Sequence, residues 1–302
     1  IIVDALIVGL VISVLLCLIL ARAITSPIQD LTRAAEKVAG GDFTDKVEND
    51  SKDEIGVLTR TFNDMAGQLE DTLDDLTKSE QMRREFVANV SHELRTPITS
   101  VRSYAETLED EPDMPEDTRQ RFLEVILNES DRMTKIVQDL LTLSRFDAGR
   151  IEFSFAEFSF EKSVRDVYNA MAMEAQAHGH HFVLELEPDI PKIRGDRQRV
   201  EQVLINMVSN AVKYTKDGGR ISVSAGTKNG EVWCSVRDNG IGIPAEDTQK
   251  VFDRFYRVDK ARSRESGGTG LGLSIAQEIV VRHGGHIELQ SRLGHGTVIT
   301  VY

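Results

Sequence analysis

Four short stretches of the chain set polar groups at helical spacing or glycines at turn spacing, and each has a chemistry open to it. In FVANVSHELRTP, residues 86 to 97, His92 stands beside Glu93, with Thr96 one helical turn on. An imidazole next to a carboxylate has the parts of a nucleophile with an assisting base. The plainer alternative is an ordinary surface histidine, with Pro97 starting a second helix. If the helix runs through, Pro97 lacks a donor for the Glu93 carbonyl and crowds it, which predicts a bend beside His92. In RVEQVLINMVSNAVKYT, Asn206, Asn210 and Lys213 recur at four and three residues, opposite Val203, Leu204, Met207, Val208 and Ala211. Two amides and an ammonium suit a hydrated magnesium ion and phosphate oxygens, although a solvated helix face has the same spacing. DNGIGIP, residues 238 to 244, sets Asp238 at the end of a strand-like run, and its glycines let a ligand approach the backbone. Alone it is also an ordinary turn. GGTGLGLS, residues 267 to 274, leads glycines 267, 268, 270 and 272 into a helix from Leu273. Free amides and the helix dipole at such a start favour a polyphosphate, against the alternative of a mobile glycine linker.

Several chemistries are excluded. GGTGLG is no dinucleotide fingerprint, since no strand immediately precedes it and no βαβ unit surrounds it, and it lacks the Gly-Lys-Ser/Thr of a P-loop. His178, His180 and His181 have no acidic or cysteine partner at ligand spacing, so a turn into the next strand is expected rather than a metal site. A net charge of −13 argues against nucleic acid as the main partner. Cys17 and Cys234 form no disulfide framework or zinc set, which fits a reducing compartment.

The elements that must position these residues fall into two kinds. From Ala5 to Ala21 the chain carries 17 residues without a charge, extended by flanking apolar residues to about a bilayer span. A transmembrane helix is expected there rather than a signal peptide, because no basic n-region or small-residue cleavage site is present. Arg22, Arg33 and Lys37 follow the span and Asp4 precedes it, which places the C-terminal part in the cytoplasm. The opening Ile and the stop at TVITVY suggest a fragment. Beyond the span, Ile28, Leu31, Ala35 and Val38 repeat at three and four residues until GGDF. Ile55, Leu58, Phe62, Met65, Leu69 and Leu76 form a second coiled-coil series after a polar connector. A third, Val87, Val90, Leu94, Val101, Tyr104 and Leu108, begins eleven residues after Leu76, an insertion of four that relaxes a supercoil or marks a change of packing partner. In this register His92 points out of the bundle. A further stripe, Phe122, Ile126, Met133, Ile136, Leu140 and Leu143, completes an antiparallel helical hairpin, and two hairpins make a four-helix bundle in a homodimer.

After FDAGR the pattern changes. HFVLEL, RISVSAG, EVWCSVRD, HIELQS and GTVITVY read as strands, with KNG a hairpin turn between two of them. Helical runs are expected at about 161 to 177, 196 to 215 and 271 to 283, giving an α/β sandwich of sheet on helices. The fold class is therefore multidomain: a membrane helix, a dimeric helical bundle, then an α/β domain.

SHELRTP, INMVSNAVKYT, DNGIGIP, FDRFYRVD and GGTGLGLSI, in that order, resemble the membrane-bound sensor histidine kinases of two-component systems. The resemblance covers nearly the whole chain: residues 1–23 a transmembrane helix, 24–76 a HAMP linker with Pro27 and DEIGVLTRTFNDM, 77–147 the dimerising phosphoacceptor domain, 150–302 a GHKL-type ATPase domain. It implies ATP and Mg2+ as cofactors, a response regulator receiver domain as partner, a homodimer, and a place in the inner or plasma membrane. It also implies His92 as the phosphorylated residue, Glu93 as assisting base and Thr96 as the residue that positions water for removal of phosphate from the partner. Asn206 and Asn210 would hold magnesium, and Lys213 and Tyr214 would line the phosphate and nucleotide pocket. Asp238 would accept from the adenine amine, Gly240 and Gly242 would shape that pocket, and Arg257 would reach the terminal phosphate. Residues 257 to 272, with Gly268, Gly270, Leu271 and Gly272, would form its lid. A GHKL ATPase of the gyrase, mismatch-repair or chaperone kind would share the pocket but has no need of an exposed histidine on a dimeric helix. A membrane coiled-coil adaptor has no need of intact Asn, Asp and Gly motifs.

Overall fold

The apolar run that opens the chain folds as α1 (Ile2–Leu20), whose side chains, where described, are exposed. A computed structural model describes residues 2–48, 52–258 and 268–302. Pro27 has no N–H to offer the α-helical ladder, and a wide π turn, Ala21–Thr25, lies just before it, closed by the Ser26 N–H on the Ala21 carbonyl. Helix α2 (Ser26–Ala39) follows and stops where Gly41 turns to φ +86°. Its buried residues are Leu31 and Ala34, so Ala34, and not the expected Ala35, faces inward. The connector is strapped to the next helix by Asn63, which donates to the Val47 carbonyl at 3.0 Å and accepts from its N–H at 3.2 Å.

Helix α3 (Glu54–Asp110) is 57 residues long and continuous across both the insertion of four and Pro97. The chain forms two compact units, Ile1–Glu85 and Phe86–Tyr302, and α3 begins in the first and ends in the second. In the second unit α3 pairs with α4 (Glu116–Asp147), and the ring of Tyr104 meets that of Phe122 edge-on at 4.9 Å. The apolar stripes of both helices are buried or half-buried as the spacing predicts, except at Val87, which is exposed. Pro97 is buried within that stripe, seven residues after Val90, and the helix runs on through it. The proline therefore takes a packing position in the helix, while its missing N–H leaves the Glu93 carbonyl without the usual donor.

The α/β half contains β1 (Ala156–Ser159), α5 (Phe160–Ala177), β2 (His181–Leu186), β3 (Lys192–Gly195), α6 (Arg197–Tyr214), β4 (Arg220–Lys228), β5 (Glu231–Asp238), α7 (Gly272–Arg282), β6 (Ile287–Arg292) and β7 (Gly296–Val301). The main sheet has five strands in the order β2-β4-β5-β7-β6, with β2 parallel to β4 and the other pairs antiparallel. The β4–β5 hairpin turns at Asn229 and Gly230, both at positive φ, as KNG predicts. Asp196 and Ser159 cap α6 and α5 by accepting from the Arg199 and Lys162 N–H groups. The inner faces of the helices and sheet share one core, which Leu143 and Phe146 from the end of α4 join. The spacing did not reveal β1 and β3, which pair only with each other and are four residues each, too short for an alternating pattern to register.

Candidate active site

Helix α6 buries Val203, Leu204, Met207, Val208 and Ala211 against the core. Its opposite side turns Asn206, Asn210, Lys213 and Tyr214 into a cavity of about 350 Å³. Asp238 enters from the end of β5, Gly242 from the loop after it, Gly268 and Gly270 from the approach to α7, and Gly272 from its first turn. Tyr256 and Arg257 complete the same wall. Gly267 and most of the expected lid lie outside the described residues.

The two loop glycines are required by contact. A Cβ on Gly240 would lie 2.2 Å from the Tyr214 carbonyl oxygen, and one on Gly242, at φ +68°, would lie 2.1 Å from that of Arg292. Gly240 thus packs the loop against the end of α6, where the Ile241 N–H also donates to Tyr214 at 3.1 Å, and does not itself line the cavity. Leu271 is likewise not a lining residue: its side chain is 0% exposed in the core, just ahead of α7.

Asp238 accepts at one oxygen, Oδ1, from the N–H of Gly240 at 2.8 Å and of Thr297 at 3.1 Å. Its Oδ2 has no hydrogen-bond partner among the described residues. Burial pushes its carboxyl above the usual range, against the lowering effect of those two amides. Asn206 spends its amide nitrogen on the Gly272 carbonyl at 2.9 Å, which ties α6 to the first turn of α7. Lys213 is pushed below the usual lysine range by burial, then by Lys135 and, more weakly, Arg257, with Glu174 and Asp139 pulling the other way. Lys135, on α4, lines the same cavity.

His92 is exposed on α3. Thr96, half-buried, shares its face and bonds the His92 carbonyl through its hydroxyl at 3.4 Å. Glu93 does not turn to the imidazole. Its Oε2 accepts from Arg257 at 2.9 Å and from Arg132 at 3.1 Å, and both guanidiniums are nearly excluded from solvent, at 4% and 7% exposure. Arg257 also donates to the Gly268 carbonyl. The turn that carries His92 is therefore fastened to the wall of the cavity. Further contacts hold the hairpin there: Thr269 donates to Asp139 at 3.0 Å, Arg254 grips Asp147 with two bonds at 2.7 and 2.6 Å, and Phe86 meets Phe255 at 5.7 Å. Arg132, Lys135, Asp139 and Thr269 were not foreseen. Arg132 and Glu93 are 39 residues apart in sequence and Thr269 and Asp139 are 130 apart, so no local spacing signals these contacts.

A sheet backed by three helices, a glycine-framed cavity between α6 and α7, and a helical hairpin presenting an exposed histidine thus come together in the second unit. Residues 195–302 match the family described as histidine kinase-, DNA gyrase B- and HSP90-like ATPase, residues 82–149 the His Kinase A (phospho-acceptor) domain, and residues 19–71 the HAMP domain. Sensor histidine kinase WalK of Bacillus subtilis (strain 168) is 33% identical across 97% of this chain, which spans 66% of that relative's length. Histidine kinase ThkA, solved in complex with response regulator protein TrrA, superposes with a TM-score of 0.59 at 28% identity, over 75% of this chain and 65% of that one. Full-length ShkA, solved in complex with AMPPNP, gives a TM-score of 0.54 at 29% identity, over 72% and 45%. The chain belongs to the sensor histidine kinases of two-component systems. Among the described residues, one helix is long and apolar enough to cross a bilayer.

Proposed function

We propose that the chain is an ATP-dependent protein histidine kinase that phosphorylates its own His92 and passes the phosphoryl group to an aspartate of a response regulator receiver domain. The observation that carries this reading is the Glu93–Arg257 ion pair, which sets the turn bearing the exposed histidine against the wall of a cavity suited to a nucleotide. The donor set fits ATP and magnesium. The free Oδ2 of Asp238 suits the exocyclic amine of adenine, and the amide oxygens of Asn206 and Asn210 are hard ligands of the kind magnesium takes. Tyr214 lines the nucleotide, while Lys213, Arg257 and the backbone at Gly268, Gly270 and Gly272 suit phosphate oxygens. When bound, magnesium supplies neutralisation of charge on the phosphates.

In the reaction an imidazole nitrogen of His92 forms a bond to the γ-phosphorus as the bridging P–O bond breaks, and ADP departs with that electron pair. Glu93 accepts the proton from the imidazole. Its carboxylate must first leave Arg257, and a terminal phosphate that takes over the guanidinium releases it. Thr96 positions water for the reverse duty, hydrolysis of the regulator's phosphate. That ThkA was solved with a response regulator and ShkA with AMPPNP supports both partner and nucleotide. Leu58, Met65, Leu69 and Leu76 in the first unit, and Leu123, Leu127, Val137 and Leu141 in the second, are exposed apolar residues of one chain that a second copy would cover. The protein accordingly works as a homodimer in the inner or plasma membrane, with residues beyond α1 in the cytoplasm.

Exchange of Asp238 for Asn tests the adenine site. Asp238→Asn removes a charge whose burial is unfavourable, so the fold is retained, while ATP binding weakens about tenfold or more, the loss expected of one hydrogen bond to a charged group. GTP, which has no amine at that position, is expected to bind both proteins alike. Titration of each nucleotide by calorimetry decides it, and an equal loss of ATP and GTP affinity would count against an adenine-reading carboxylate.

A further inference from the structure

Among the described residues, every one that lines the cavity comes from positions 206–299 except Lys135, which stands on α4 in the helical hairpin. Its neighbours along the helix are engaged elsewhere: Arg132 with Glu93 and Glu129, and Asp139 with the Thr269 hydroxyl. Lys135 itself is exposed and makes no hydrogen bond or salt bridge among the described residues. It attracts the Asp139 carboxyl one turn on without forming an ion pair with it, and so brings to the cavity an ammonium with no bonded counterion among the described residues.

Two other cations line the same space, Lys213 and Arg257. Arg257 has Glu93 as counterion, but Lys213 does not recover its charge balance: burial and the nearness of Lys135 and Arg257 outweigh the attraction of Glu174 and Asp139, and its ammonium is held below the usual range. Like charges gathered in a partly buried space repel more strongly than in water. The ligand that relieves them is an anion of high charge density, and the same cavity carries the carboxylate proposed to read adenine.

We infer that Lys135 is a third phosphate-binding cation of the nucleotide site, supplied by the phosphoacceptor hairpin and not by the ATPase fold. The inference rests on the nucleotide reading proposed above. Its consequence is that the polyphosphate is gripped from both sides, so that ATP draws α4, and with it the Arg132–Glu93 pair beside His92, onto the cavity. Adenosine engages only the ATPase side. Because an ammonium is a point charge on a flexible stem, arginine at this position retains most of the attraction and alanine none.

The test measures ATP and adenosine binding by calorimetry to the full chain in detergent and to its Lys135→Ala and Lys135→Arg variants. Lys135→Ala is expected to weaken ATP about tenfold, or about 1.4 kcal/mol, with adenosine unchanged and ATP affinity largely restored by Lys135→Arg. ATP affinity equal to wild type in Lys135→Ala would make Lys135 a solvated surface lysine and overturn the inference while leaving the nucleotide site standing. Equal losses for ATP and adenosine would overturn it as well, since the effect would not be on phosphate. If the wild-type chain binds neither ligand, the nucleotide reading falls and this inference with it.

Discussion

His92→Gln is expected to abolish phosphorylation of the chain while nucleotide affinity stays at the wild-type value. The two properties separate because His92 lies on the exposed face of α3 and is not a lining residue of the cavity, whereas the groups suited to ATP come from α6, the end of β5 and the approach to α7. Glutamine keeps the length and polarity of the side chain and conserves the helix, so the Glu93–Arg257 attachment is retained. What it lacks is a nitrogen lone pair able to attack phosphorus. Phosphate still incorporated by His92→Gln, measured with nucleotide binding on the same preparation, would place the acceptor elsewhere.

The second large effect divides labour between the neighbours of His92. Thr96→Ala should leave autophosphorylation within a few-fold of wild type yet slow dephosphorylation of a phosphorylated receiver domain by ~10²-fold, the scale of lost acid–base or water-positioning catalysis. Among the described residues the hydroxyl bonds only the His92 carbonyl, at 3.4 Å, and Thr96 does not line the cavity. Glu93→Gln should do the opposite, slowing autophosphorylation by ~10²-fold while dephosphorylation continues. An amide at position 93 still accepts from Arg132 and Arg257, so the attachment is weakened rather than removed, and thermal melting of the variant separates a folding defect from a catalytic one. If both variants impair both reactions alike, packing around Pro97 and the ion pair governs the site and the division of roles is wrong.

Much of this site was legible because local spacing determines it. Asn206, Asn210 and Lys213 recur at one face of a helix, and the folded α6 turns that face to the cavity. Asp238 sits at a strand end and the glycines precede α7, as their positions in the chain predict. Leu271 shows the limit of that reasoning. It stands within the glycine-rich stretch, but membership of a motif does not say which way a side chain points, and this one fills the core. Pro97 shows another: the rule about missing donors concerns only the backbone, whereas the position it occupies, seven residues after Val90, also places the proline in the apolar stripe of a helix that runs on through it. Glu93 was aimed at His92 by adjacency, and long-range partners decided otherwise. Arg132, Lys135 and Asp139 acquire meaning only when α4 meets the ATPase domain, and β1 and β3 only when they pair with each other.

The most direct measurement supplies the full chain with magnesium and γ-labelled ATP, then determines the chemical stability and position of the incorporated label. Phosphate is expected on the peptide that contains His92, lost in acid and retained in base, as a phosphoramidate is. Label that survives acid on a serine, threonine or tyrosine, or no label at all from a chain that binds ATP, would contradict it.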